Sequence, residues 1–132
     1  MPQGRRPMRK SELQRFRNML QEEKERVSQS LAKHEKIIKH TDDESGLETG
    51  KAHSNHMADQ GSDEFQYETT IKFANTEGRY LYNIEEALAR IEDGIYGKCQ
   101  ACGRAIALPR LRRLPYTRLC IECKEKEEAG KL

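Results

Sequence analysis

Cys99-Gln100-Ala101-Cys102 and, after 17 intervening residues, Cys120-Ile121-Glu122-Cys123 decide how this 132-residue sequence is read. Two C-x2-C pairs at that separation let two tight turns present four thiolates to one ion, and zinc takes soft thiolates in a tetrahedron. Four protein ligands leave no position open for water, so such an ion is structural and not a hydrolytic Lewis acid. Gly97 and Gly103 flank the first pair, where a backbone without Cβ can turn its N–H groups towards the sulfurs. The same ligands would also hold iron, and two disulfides would use the same cysteines; the paired spacing and a reducing compartment favour a single structural Zn2+.

Working outward, the rest of the chain offers little material for a large core, because 35% of its residues are hydrophobic and another 35% charged. A chain of this kind gains order from long helices that share a narrow apolar seam and from a metal that replaces part of the missing core. Upstream of the cysteines, Phe73, Tyr80, Ile84, Ala87 and Ile91 form such a seam, widened by Leu81, Leu88 and Ile95, until Gly94 stops it. An earlier seam, Leu13, Phe16, Leu20, Val27, Leu31 and Ile38, recurs at spacings of three, four and seven among Glu, Lys, Gln and Arg. Ser11 with Gln14 fits a capping box at its start. Between the seams the periodicity vanishes, and Gly46, Gly50 and Gly61 stand among turn-forming polar residues, with Ser62 placed to cap the second helix.

Two helices joined by a polar connection fold back antiparallel. The expected fold is mainly α: a long antiparallel helical hairpin, or coiled coil, on a small four-cysteine zinc-finger module with a C-terminal helix. Residues 1–10 are read as a flexible basic arm, 11–94 as the hairpin with its bend at about 42–62, 95–124 as the zinc-finger module and 125–132 as a C-terminal helix end or tail. The expected register sets Leu31 near Phe73, Leu20 near Ile84 and Leu13 near Ile91. At about 1.5 Å per residue, roughly 30 residues give an arm on the order of 45 Å.

Net charge is only +2, from 24 basic and 22 acidic residues, which lacks the field of a dedicated nucleic-acid coat. Arginines crowd the N-terminus and the cysteine region, whereas Asp42, Asp43, Glu44, Glu48, Asp59, Asp63 and Glu64 make the middle acidic. No apolar run approaches the roughly 20 residues of a membrane span and no secretory signal opens the chain, so a cytoplasmic protein is expected. His53 and His56 have a loose metal-like spacing but lie in a polar stretch where histidines are ordinarily solvated. No Ser–His–Asp set, phosphate-cradling glycine loop or H-E-x-x-H occurs, so an enzyme is not expected.

The run Asp93-Gly94-Ile95-Tyr96-Gly97-Lys98-Cys99, followed by Cys102-Gly103, Ile106, Arg110-Leu111, Pro115 and Cys120-Ile121-Glu122-Cys123-Lys124, resembles the DksA/TraR family of bacterial transcription factors. The resemblance implies direct binding to RNA polymerase, with the coiled coil entering the secondary channel, the zinc module at its rim and no DNA sequence read. A monomer is the acting form it implies. The family's acidic tip, Asp-x-x-Asp-x-Ala, falls on His56-Met57-Ala58-Asp59-Gln60-Gly61, so Asp59 keeps a carboxylate while His56 and Gly61 depart; Asp63 adds a neighbouring acid. A carboxylate carried into a confined, cation-rich site would reorient local charge strongly. The positions that resemble the family's guanosine tetraphosphate contacts are Asn83, Leu114 and Lys124, of which only Lys124 offers a charge to a phosphate. A weak or absent response to that nucleotide is expected, with Lys124 and Arg110 as candidate nucleotide or polymerase contacts.

Two other functions fit parts of the sequence. The cysteine spacing also resembles GATA-type DNA-binding fingers, but the tail Lys124-Glu125-Lys126-Glu127-Glu128 is too acidic to neutralise phosphates, so sequence-specific DNA binding is not expected. A structural protein–protein adaptor would use the same hairpin and zinc, and would make the acidic bend dispensable.

Overall fold

The computed structural model describes residues 8–47 and 57–131, with the backbone alone at 42–47 and 57–63. Four helices follow one another: α1 (Lys10–Leu47), α2 (Met57–Glu92), α3 (Leu108–Arg113) and α4 (Ile121–Glu128). Among the described residues the only β pairing is an isolated antiparallel bridge between Lys98 and Ala105. The chain divides into two compact units, one made of Met1–Glu25 with Tyr82–Leu132 and the other of Arg26–Leu81.

In the first unit, α1 starts one residue before Ser11, and the expected Ser11–Gln14 capping box does not form. Instead the Arg9 N–H donates to Glu12 Oε1 at 2.9 Å, while Gln14 Nε2 donates to Asn18 Oδ1 at 3.0 Å. Glu12 lies in the first turn, where its charge also meets the positive end of the helix dipole, so it outcompetes a neutral amide. Phe16 and Leu20 of α1 are buried with Ile84, Ala87 and Ile91 of α2, joined by Tyr96, Ile106, Leu111 and Leu119 from the segments beyond.

Arg17 pairs with Glu92 at 2.8 Å and Lys24 with Glu85 at 3.7 Å, so ascending positions of α1 meet descending positions of α2 and the helices are antiparallel. These pairs set Leu20 level with position 89 rather than with Ile84, and Leu13 level with position 96 rather than with Ile91. The register is thus displaced by about one helical turn from the expected one. Ile95, expected in the apolar row, is 42% exposed because the helix has already ended.

That ending is a Schellman turn. Gly94 has φ +77°, its N–H donates to Ile91 O at 3.2 Å, and the Ile95 N–H donates to Arg90 O at 3.0 Å. Glycine adopts this left-handed conformation without the strain a side chain brings, so the expected stop at Gly94 forms as the sequence requires.

In the second unit, Val27 and Ala74 are buried, whereas Phe73, placed in the expected seam, is 55% exposed and stacks its ring 5.9 Å from that of His34. A polar knot decides the pairing here. The Ser30 hydroxyl donates to Glu77 Oε2, and His34 Nδ1 lies 2.6 Å from Glu77 Oε1. Ser30 and His34 therefore bracket Glu77, and Leu31 falls near position 78 rather than at Phe73.

Both long helices extend into the expected bend at about 42–62: α1 runs to Leu47 and α2 begins at Met57, so Ser62 lies inside α2 and is not its cap. Loss of apolar periodicity marks the end of a buried face, not the end of a helix, and a helical Gly costs only about 1 kcal/mol relative to Ala. Residues 48–56 and the greater part of the 1–10 arm lie outside the described residues. Among the described residues no helix is long and apolar enough to cross a membrane.

Candidate metal centre

The first cysteine pair sits on a tight turn. The Cys99 N–H donates to Arg104 O at 2.8 Å and the Gly103 N–H to Cys99 O at 2.9 Å, with Gly97 at φ 87° and Gly103 at φ 77°. The second pair sits at the start of α4, where Cys120 is the N-cap residue in extended backbone and the Lys124 N–H donates to Cys120 O at 2.9 Å. The two turns are joined by the Gln100 N–H, which donates to Arg118 O at 2.9 Å.

These turns bring the sulfurs of Cys99, Cys102, Cys120 and Cys123 within 4.8 Å of one another, the four ligands that the spacing predicts. Four sulfurs at about 2.3 Å from an ion in a tetrahedron stand about 3.8 Å apart. Cys102 Sγ and Cys120 Sγ are 3.9 Å apart, which fits that geometry and not the roughly 2.0 Å of a disulfide. All four cysteines are free thiols.

The donor set is divided in its proton affinity. Burial raises Cys99, but N–H groups of Cys120, Cys102 and Ala101 outweigh it and hold this thiol down at about 6. Burial and the neighbouring sulfurs push Cys123 up to about 12. Crowded sulfurs cannot all ionise unless a cation neutralises them, so this set fits a divalent metal, and a tetrahedral set of four thiolates is one that zinc takes, as iron also does.

The loop that delivers Cys120 is held by groups the sequence did not single out. Arg90, buried in the last turn of α2, donates through Nη2 to Tyr116 O at 3.1 Å and Thr117 O at 3.3 Å. Burial pushes its pKa below the ordinary value while Tyr96 and Glu86 pull it back up, which leaves a charged group solvated by carbonyls. The Tyr96 hydroxyl donates to Pro115 O at 2.7 Å. The signal available for Arg90 is its place three residues after buried Ala87, on the face that should be apolar.

Arg110, a candidate contact, turns inward: its Nε donates to Leu119 O at 3.1 Å and its Nη2 to Thr117 Oγ1 at 3.4 Å. Lys124 Nζ donates to Glu127 Oε1 at 3.1 Å, and Arg118 pairs with the other oxygen of the same carboxylate. Those two hydrogen bonds, Lys124 first, hold Glu127 below the usual carboxylate range. Lys124, Arg110, Asn83 and Leu114 line one cleft of the first unit. Of the tip residues, His56 lies outside the described residues, and Asp59, Gly61 and Asp63 are described only as backbone within α2.

A four-cysteine zinc finger attached to an antiparallel helix pair is the class that this fold and site define. Residues 94–129 match the family described as the prokaryotic dksA/traR C4-type zinc finger. The chain is 31% identical over 121 residues to an uncharacterized protein of Aquifex aeolicus, covering 92% of this chain and 79% of that one. It is 26% identical over 133 aligned positions to the RNA polymerase-binding transcription factor DksA of Escherichia coli K12, covering 96% and 82%. Among solved structures, transcription factor DksA2 from Pseudomonas aeruginosa matches with a TM-score of 0.73 and 27% identity over 92% of this chain and 87% of that one. A polymerase-binding regulator from Chlamydia trachomatis, at 24% identity and a TM-score of 0.55 over 96% and 98%, shares the fold. The chain belongs to the DksA/TraR family, whose named relatives are transcription factors and not enzymes.

Proposed function

We propose that this chain binds RNA polymerase directly and regulates transcription, placing the 56–63 region of its hairpin in the secondary channel while one structural zinc per chain holds the base. The observation that carries this reading is the extent of the likeness. The zinc-finger match alone covers residues 94–129, but the DksA relative matches 96% of the chain and the DksA2 structure 92%, so both long helices are included. A C4 module used alone as an adaptor or DNA reader would not need them.

Asp59 is the residue we assign to the tip's effect, with Asp63 as an adjoining acid and His56 and Gly61 at the two positions that depart from the family's tip. The acting form is a monomer in the cytoplasm. Sequence-specific DNA contact is not part of the function, since α4 carries Glu122, Glu125, Glu127 and Glu128 where a finger of that kind needs cations. Guanosine tetraphosphate has a small effect, because Lys124, the one cation at the corresponding positions, is already engaged by Glu127.

The test is promoter output in a purified transcription reaction with native protein and D59N, alongside binding of each to polymerase. Loss of regulation with binding retained supports the assignment. Unchanged output from D59N removes Asp59 from the mechanism.

A further inference from the structure

Arg90 is 6% exposed, and among the described residues no carboxylate forms an ion pair with it. The attraction of Glu86 reaches Arg90 without a direct ion pair, and a buried cation so placed is costly and is retained where its hydrogen bonds hold something in place. What it holds is the irregular run that ends at Cys120. Tyr116 O and Thr117 O accept from Arg90, Arg118 O accepts from the Gln100 N–H, and Leu119 O accepts from Arg110 Nε. Every carbonyl from 116 to 119 thus has a donor from outside the run: α2 supplies two, the first cysteine turn one and α3 one.

We propose that Arg90 is a positioning residue of the metal centre: by fixing the Tyr116 and Thr117 carbonyls against the end of α2, it sets the approach of Cys120 to Cys102 and governs how readily the ion is lost. Arg110 performs the same task at Leu119. The carbonyl-bound run lies between the cysteine pairs, so freeing two of its anchors lets the second pair drift from the first. With fewer of the four thiolates in reach, a bound ion would be held less firmly. Partners outside the ligand set commonly alter metal affinity by about 10-fold to 100-fold. The proposal concerns the zinc module alone and does not depend on the polymerase reading.

The experiment uses the zinc-loaded full chain and excess chromophoric chelator, recording the rate of zinc transfer for native protein, R90M, R90K and I84A. Ile84 is fully buried in the same unit and touches none of these carbonyls in the hydrogen-bonded set, so I84A reports the effect of general destabilisation. R90M should transfer zinc at least about 10-fold faster than native protein. R90K, with a shorter reach, should fall between the two, and I84A should stay near the native rate despite a lowered melting temperature. Should R90M fail to fold, the comparison of R90K with I84A decides. A native rate in the Arg90 variant, or equal acceleration in I84A at equal loss of melting temperature, overturns the proposal.

Discussion

The rings of Phe16 and Tyr96 meet with their centroids 5.5 Å apart and their planes tilted by 47°, so the first helix packs directly on the residue that leads into the cysteine turn. Tyr96 is also fixed at its other end by the hydrogen bond to Pro115 O. Phe16→Ala removes a buried ring and should cost about 3–5 kcal/mol, whereas Tyr96→Phe frees one carbonyl and should cost about 1–2 kcal/mol. Denaturant unfolding of the zinc-loaded variants measures both; a larger cost for Tyr96→Phe than for Phe16→Ala would show that the phenol hydroxyl, and not the ring contact, dominates.

Gly94 gives a prediction that packing does not enter. No atom lies within 4 Å of the place its Cβ would occupy, yet φ is +77°. Gly94→Ala should therefore lose about 1–2 kcal/mol through backbone strain alone, with Gly94→Asn milder. Thermal unfolding that ranks Asn below Ala would contradict the Schellman assignment.

The Ser30–His34–Glu77 knot makes the second unit acid-sensitive. Burial raises the Glu77 carboxyl, but the Ser30 and His34 hydrogen bonds outweigh it and leave the pKa below its ordinary value of 4.5. A depressed folded-state pKa stabilises fully above the unfolded value and loses that contribution as pH falls through the folded one. Stability of native protein should thus decline on acidification below about pH 4.5, and E77Q should flatten that decline while costing about 1–2 kcal/mol at neutral pH. Parallel acid profiles for the two proteins would exclude the knot as the source.

Metal content supplies a further check. The purified, reduced chain should carry one zinc, and Cys102→Ser should bring the content well below one by removing a ligand from a set that has no spare. Zinc retention should weaken as pH falls, because protons compete for the same thiolates. Full retention in the serine variant would mean that three sulfurs suffice.

The cysteine cluster and the Gly94 stop were legible because spacing and a positive-φ position each have few alternatives. Register was not. Apolar side chains recur every three or four residues along both helices, so sliding one helix by a turn still sets apolar against apolar; Ser30, His34 and Glu77 break that degeneracy, and nothing in a single sequence marks those three polar residues as partners. Helix ends at Leu47 and Met57 were hidden for a related reason, since the sequence there carries no apolar periodicity to follow. Arg90 escaped notice as one of 24 cations in a highly charged chain, its role set by carbonyls more than 25 positions away.

The most direct test of the account is equilibrium binding of the zinc-loaded, full-length chain to purified core RNA polymerase at physiological salt. The account predicts saturable binding at one chain per polymerase, lost when zinc is stripped from the chain. A folded, zinc-loaded chain that shows no saturable binding to the core enzyme would contradict it.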